Sequence, residues 1–160
     1  MKIVVCSLLV LSVISCIQAV SVSQCHDDET PLDDLSDRIK IGNCRKPPCR
    51  LRKNAKIAFE MKLSPDRDIT KLTNSISAFV SGLPLPFPGY DQTDACKGIY
   101  SSDGKTQVGC PLNKGEDYLY RNEIEVLQVY PRLKLVVHWG LVDQDGKYLI
   151  CLEVPARITN

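Results

Sequence analysis

The chain has 160 residues, 24% of them charged and 44% apolar, with 20 lysines and arginines against 19 acids. One domain fits that length, and the composition excludes both a disordered chain and a polytopic membrane protein. A formal net charge of +1 excludes the broad basic face of a dedicated nucleic-acid binder, and with only His26 and His138 a histidine-built metal cluster is excluded too.

Residues 3–17 are apolar apart from Ser7, Ser12 and Ser15, and follow the charge of Lys2. The run is short for a bilayer span but suits the core of a secretory signal. Cleavage is expected first after Ala19, and second after Ser23. Residues 1–19 are thus read as a signal peptide and 20–160 as the domain. Removing the signal takes Cys6 and Cys16 from the 8 cysteines and leaves six: Cys25, Cys44, Cys49, Cys96, Cys110 and Cys151. An even set in an exported chain reads as three disulfides. Metal or thiol chemistry is disfavoured, because there is no Cys-x-x-Cys and no histidine at ligand spacing. Residues 44–49 (CRKPPC) read as a local clip stiffened by two prolines. Spacing alone assigns no other pair.

Acids crowd residues 26–37, and bases crowd residues 38–56. The two runs largely offset and read as a solvated surface, with a docking patch for an anionic partner as the alternative. Period-2 alternation then dominates. Ala55, Ile57, Phe59, Met61 and Leu63 share a parity over 54–63, as do Leu72, Ile76, Ala78 and Val80 over 72–80. Tyr118, Tyr120, Ile124, Val126 and Tyr130 share one face over 118–130. Leu133, Leu135, Val137, Trp139 and Leu141 form an inward row, with Lys134 and His138 facing away. Tyr148, Ile150, Leu152, Val154, Ala156 and Ile158 repeat the pattern. Residues 143–146 (DQDG) join the last two runs as a hairpin loop. Residues 83–89 (LPLPFPG) cannot be a central strand, since proline donates no N–H. No convincing helix is present. Short strands, each with one apolar face, describe an all-β sandwich of two antiparallel sheets.

Catalysis is not expected. His138 and His26 are both read as surface residues, and Asp143 and Asp145 as turn residues. Three disulfides leave no activated thiol. No cofactor or metal is implied.

Three signatures go further: residues 82–88 (GLPLPFP) leading to 94–96 (DAC); 109–115 (GCPLNKG) before Tyr118 and Tyr120; and Tyr130-Pro131 before 135–139 (LVVHW), 141–143 (LVD) and Cys151. Together they resemble the Niemann-Pick type C2 family of ML lipid-recognition domains, in particular its insect-like secreted members. The match covers residues 25–158. The resemblance implies an immunoglobulin-like sandwich whose sheets splay to hold a sterol or acyl chain. It implies the pairs Cys25–Cys151, Cys44–Cys49 and Cys96–Cys110. It also implies that Phe87, Val126, Tyr130, Trp139, Leu51, Ile57, Phe59, Met61 and Ile150 line the pocket, with a mouth near Phe79 and Tyr130-Pro131. Parity independently puts Ile57, Phe59, Met61, Val126, Tyr130, Trp139 and Ile150 on inner faces.

The chain departs from that family's sterol-carrier pattern at three points. Residues 97–109 make a long loop between Cys96 and Cys110, read as a surface insertion. Ser81 stands where an apolar mouth residue is expected. No Asn-x-Ser/Thr sequon occurs, which favours extracellular fluid over glycan-dependent lysosomal sorting. The expected role is a monomeric secreted carrier of a sterol, in transient contact with membranes or a receptor. A fatty-acid or semiochemical carrier, or a microbial-glycolipid recognition protein, is the alternative. A basic rim at Arg50, Arg52 and Lys53 would favour phosphorylated glycolipids.

Overall fold

Among the described residues, alternating apolar and polar positions build ten strands in two sheets. The computed structural model describes residues 22–25, 35–42 and 44–160. The expected signal peptide and His26 lie outside them. The strands, in chain order, are β1 (Ser23–Gln24), β2 (Ile39–Ile41), β3 (Cys49–Arg52), β4 (Lys56–Leu63), β5 (Leu72–Val80), β6 (Leu83–Pro86), β7 (Ile99–Ser101), β8 (Tyr118–Glu125), β9 (Lys134–Asp143) and β10 (Tyr148–Thr159). Among the described residues, helix is confined to one turn at Leu35–Arg38 and a 3-10 turn at Cys96–Gly98.

The larger sheet runs β1-β10-β9-β5-β6, with β3 also on β10; the smaller runs β2-β4-β8-β7. All ladders but one are antiparallel. The exception is β3, which pairs in parallel with β10, Cys49 to Arg52 opposite Ala156 to Thr159. β2 belongs to the smaller sheet and β3 to the larger, so the Cys44–Cys49 clip carries the chain across one edge of the sandwich. A strand that arrives by crossing between layers is not bound to the antiparallel direction a hairpin imposes. β6 is an edge strand, where Pro84 and Pro86 cost the ladder no donor it needs.

Register fixes which side chains meet. Trp139 is flanked by Leu152 and Ile76, and Val137 by Val154 and Ala78. Within the smaller sheet Phe59 pairs with Asn122 and Ile57 with Ile124, and across the core Phe59 stacks on Trp139. The alternating parities therefore face one another as expected. The row over 118–130 is shorter than its parity suggested: β8 ends at Glu125, and a turn follows in which the Tyr130 N–H donates to the Leu127 carbonyl.

The sandwich is unequal along its length. At the β8–β9 end nearest Tyr118 and Leu141 it is solid: Met61, Ile69, Leu72, Ile76, Ile99, Leu112, Leu141 and Leu152 are sealed from solvent. A polar clasp also joins the layers there. Tyr120 Oη donates to Asn74 Oδ1 in the other sheet and accepts from Asn122 Nδ2 at 2.7 Å. Burial pushes the Tyr120 hydroxyl up to about 12, so it stays protonated as a donor.

All three disulfides pair as expected: Cys25–Cys151, Cys44–Cys49 and Cys96–Cys110. His138 corrects an expectation. It points away from Trp139, as alternation requires, yet it is only 7% exposed. Its Nδ1 is 3.4 Å from Cys25 Sγ and its Nε2 3.1 Å from Cys151 Sγ. Phe79 and Tyr148 add ring contacts at 5.7 and 6.1 Å. The outer face is covered here because the disulfide draws the N-terminal segment over it. Both sulfurs are spent on each other, which leaves no thiolate to join His138 as a metal ligand.

The 143–146 loop is held by its first residue. Asp143 Oδ1 accepts the backbone N–H groups of Asp145 and Lys147 at 2.8 and 2.9 Å, and Oδ2 accepts Arg67 Nε at 2.7 Å. Burial opposes the charge, but the Lys147 N–H, Arg67 and the Asp145 N–H together hold the carboxyl below the usual range. A depressed carboxyl stabilises the fold above its unfolded value of about 4, and the contribution is lost as pH falls through the lower folded value. Asp143→Ala should therefore cost about 1–3 kcal/mol at neutral pH, read by urea unfolding, with the deficit vanishing in acid. An unchanged midpoint at pH 7 would contradict this.

Candidate functional site

At the end away from the polar clasp, the layers part. β3 contributes Cys49 and Leu51, β4 Ile57 and Phe59, and β8 Ile124, with Val126 just beyond it. Val137 and Trp139 come from β9, Val154 and Ala156 from β10, and Ile41 and Phe87 close the two edges. Every contributor is apolar or aromatic, because each comes from the inward parity of its strand. The cleft thus crosses the sandwich from Phe87, beside edge strand β6, to Ile41, Cys49 and Leu51 at the opposite edge.

The cleft is narrow. Its cavity measures about 40 Å³, whereas pockets for drug-sized ligands occupy roughly 300–1,000 Å³. Phe59 and Trp139 stack across it with centroids 4.1 Å apart and planes 12° from parallel. The expected open space between layers is therefore a seam, and a bulky guest must widen it.

Six of the ten expected pocket residues line this seam: Leu51, Ile57, Phe59, Phe87, Val126 and Trp139. The other four sit elsewhere. Met61 lies one inward step beyond Phe59, and Ile150 pairs with Leu141 beyond Trp139, so both belong to the solid end. Tyr130 stands behind the seam, edge-on to Phe87 at 5.7 Å. Its hydroxyl is buried without a hydrogen-bond partner among the described residues, and burial raises its pKa. Phe79 has the parity of His138 and packs against that ring on the outer surface, not at the mouth. Ile41 and Cys49 also line the seam but were not singled out from sequence. Ile41 carried no long alternating run, and Cys49 was read only as a disulfide partner.

An apolar ledge adjoins Phe87. Leu83 and Leu85 share the inward parity of Val80 and Ala78, yet are 68% and 53% exposed because the smaller sheet does not reach them. Val129, in the Tyr130 turn, is also exposed. Ser81, with φ of 52°, turns β5 into β6 beside this ledge. The long loop folds back on the outer face of β8, where Arg121 Nη1 donates to the Gly104 carbonyl at 2.7 Å. No residue of that loop lines the seam, as expected of a surface insertion.

A family model matches nearly the whole of this chain. Residues 19–158 fit the ML domain. The chain belongs to the ML-domain family. It is similar to the NPC intracellular cholesterol transporter 2 homolog a of Drosophila melanogaster, 33% identical over 76% of this chain and 78% of the fly protein. It is equally similar, at 33%, to the ecdysteroid-regulated 16 kDa protein of Manduca sexta, over 69% of this chain and 70% of that one. Among solved structures it resembles a Niemann-Pick type C2 protein from the Japanese carpenter ant. The TM-score is 0.65 at 25% identity, covering 76% of this chain and 89% of the ant protein. This ML domain has no helix among its described residues long and apolar enough to cross a membrane.

Proposed function

We propose that this ML-domain chain is a secreted lipid carrier, with a sterol as its first ligand. The observation that carries the reading is the seam, lined without a charged or hydrogen-bonding side chain apart from the indole, and confined to one end of a sandwich that is solid at the other. A plain structural core would be filled throughout. The cholesterol-transporter relative in the fly supports the sterol, and the family membership supports carriage of an apolar guest. A fatty acid is the second reading, favoured by the narrowness of the seam, which an acyl chain widens less than a fused ring system does.

The mechanism is binding rather than bond-making. Burying about 300 Å² of apolar ligand at about 25 cal/mol per Å² yields roughly 7 kcal/mol before association costs. Parting the layers takes a further share, so micromolar affinity is the natural range. The Tyr130 hydroxyl, without a hydrogen-bond partner among the described residues, would bond a sterol hydroxyl or a carboxylate if the guest reaches past Phe87. The Leu83–Leu85 ledge offers the apolar contact that lets a guest pass to a bilayer without crossing water.

Native mass spectrometry of the purified chain, with identification of extracted lipid, tests the ligand. Val126→Phe tests the seam. Val126 is 1% exposed on its wall, and a phenyl group there would fill a cavity of about 40 Å³. Overpacking should cost about 1–3 kcal/mol, so the sandwich survives, while sterol and fatty-acid uptake fall at least about tenfold. A folded variant that binds both lipids like the parent would overturn the assignment.

A further inference from the structure

The two edges of the seam differ in chemistry. At the β6 edge the surroundings are Leu83, Leu85 and Tyr130. At the opposite edge the seam runs into a groove of about 610 Å³, and the two share Ile41, Cys49, Leu51 and Ile57 as walls. Five bases line the rest of the groove, Arg45, Lys46, Arg50, Arg52 and Lys56, and no acid among the described residues does. Lys53, expected at such a rim, is not among its walls. Lys56 is paired with Glu123 at 3.0 Å. The other four cations have no carboxylate within 4.0 Å among the described residues.

The local sequence explains the arrangement. In residues 49–52 (CRLR), Cys49 and Leu51 turn into the seam while Arg50 and Arg52 alternate to the outside of an edge strand. The Cys44–Cys49 clip folds Arg45 and Lys46 back over the same opening. An apolar slot that opens among four cations without a carboxylate partner among the described residues is complementary to an amphiphile, its chain in the slot and its anion at the rim.

Building on the lipid-carrier reading, we propose that the chain selects lipids with an anionic phosphate head, seated on Arg45, Lys46, Arg50 and Arg52 while the acyl chain occupies the seam. Phosphate suits this rim better than a carboxylate: it has three terminal oxygens to share among several cations, and arginine binds it in bidentate fashion.

The test uses three probes below their micellar concentrations: lysophosphatidic acid, a monoacylglycerol with the same acyl chain, and glycerol 3-phosphate. The disulfide-bonded chain should bind lysophosphatidic acid about tenfold more tightly than the monoacylglycerol in low salt. That advantage should shrink as ionic strength rises. The triple variant Arg45→Gln/Arg50→Gln/Arg52→Gln should lose the advantage and keep monoacylglycerol binding, which also certifies its fold. Equal binding of the two lipids, or an advantage that survives the triple variant, overturns the headgroup proposal and leaves the seam assignment intact. Glycerol 3-phosphate binding as tightly as lysophosphatidic acid also overturns it, since the groove would then be a phosphate site independent of the seam. Binding of neither lipid overturns the carrier reading along with it.

Discussion

Trp139→Ala should lower the unfolding free energy by about 3–5 kcal/mol, the usual cost of deleting a buried large aromatic. For a chain of this size that is a fall of roughly 6–20 °C in Tm. The indole is 4% exposed, stacked face to face on Phe59 and met edge-on by Tyr120 at 6.4 Å. Each aromatic contact adds about 0.5–1.5 kcal/mol to the area term. The same deletion enlarges the seam at its middle, where Phe59 and Trp139 now fill it. The variant is therefore expected to be weak alone, yet to recover more of its Tm than the parent does when saturated with an apolar lipid. Urea unfolding and a lipid-titrated melt read the two effects. A loss below about 1 kcal/mol, or an equal lipid-induced shift in both proteins, would contradict this account.

Cys25→Ser/Cys151→Ser should be the most damaging of the three disulfide removals. The bridges span 126, 5 and 14 residues for Cys25–Cys151, Cys44–Cys49 and Cys96–Cys110. Loop-closure entropy then assigns them about 5, 2 and 3 kcal/mol. The first also roofs His138, whose two ring nitrogens both lie against its sulfurs. Removing it uncovers a ring that otherwise has Phe79 and Tyr148 beside it. Denaturant unfolding of the three double variants without reductant should put the loss of Cys25–Cys151 first, of Cys96–Cys110 second and of Cys44–Cys49 last. Equal losses would contradict a loop-length origin.

The sandwich was legible in the sequence because one face of each long strand is apolar, and alternation over Lys56–Leu63, Lys134–Asp143 and Tyr148–Thr159 permits one inward parity each. Parity gives the face but not the depth. Met61 and Phe59 read alike, as do Ile150 and Val154, and only the register between sheets puts one of each pair at the solid end. Phe79 and His138 misled for a related reason. Both have outward parity: His138 is covered by a disulfide to a segment more than a hundred residues distant, for which no local pattern exists, and Phe79 packs on that ring and not at the mouth. Tyr130 fits the alternation of 118–130, but the turn before Pro131 ends the ladder first. The basic residues at 45–52 were visible as a run of charge. Their convergence on one mouth depends on β3 crossing to the other sheet.

The Asn74–Tyr120–Asn122 bonds sit at one end of the sandwich and the seam at the other. Layers tied at one end are expected to part as the jaws of a clothes-peg do, pivoting about that tie. Pivoting opens a wedge, wide at the tip and closed at the root, so a longer guest is gripped by its leading end while its trailing end stays loose. Guests of graded length can then be accepted with one architecture, and their depth of insertion is metered by the pivot.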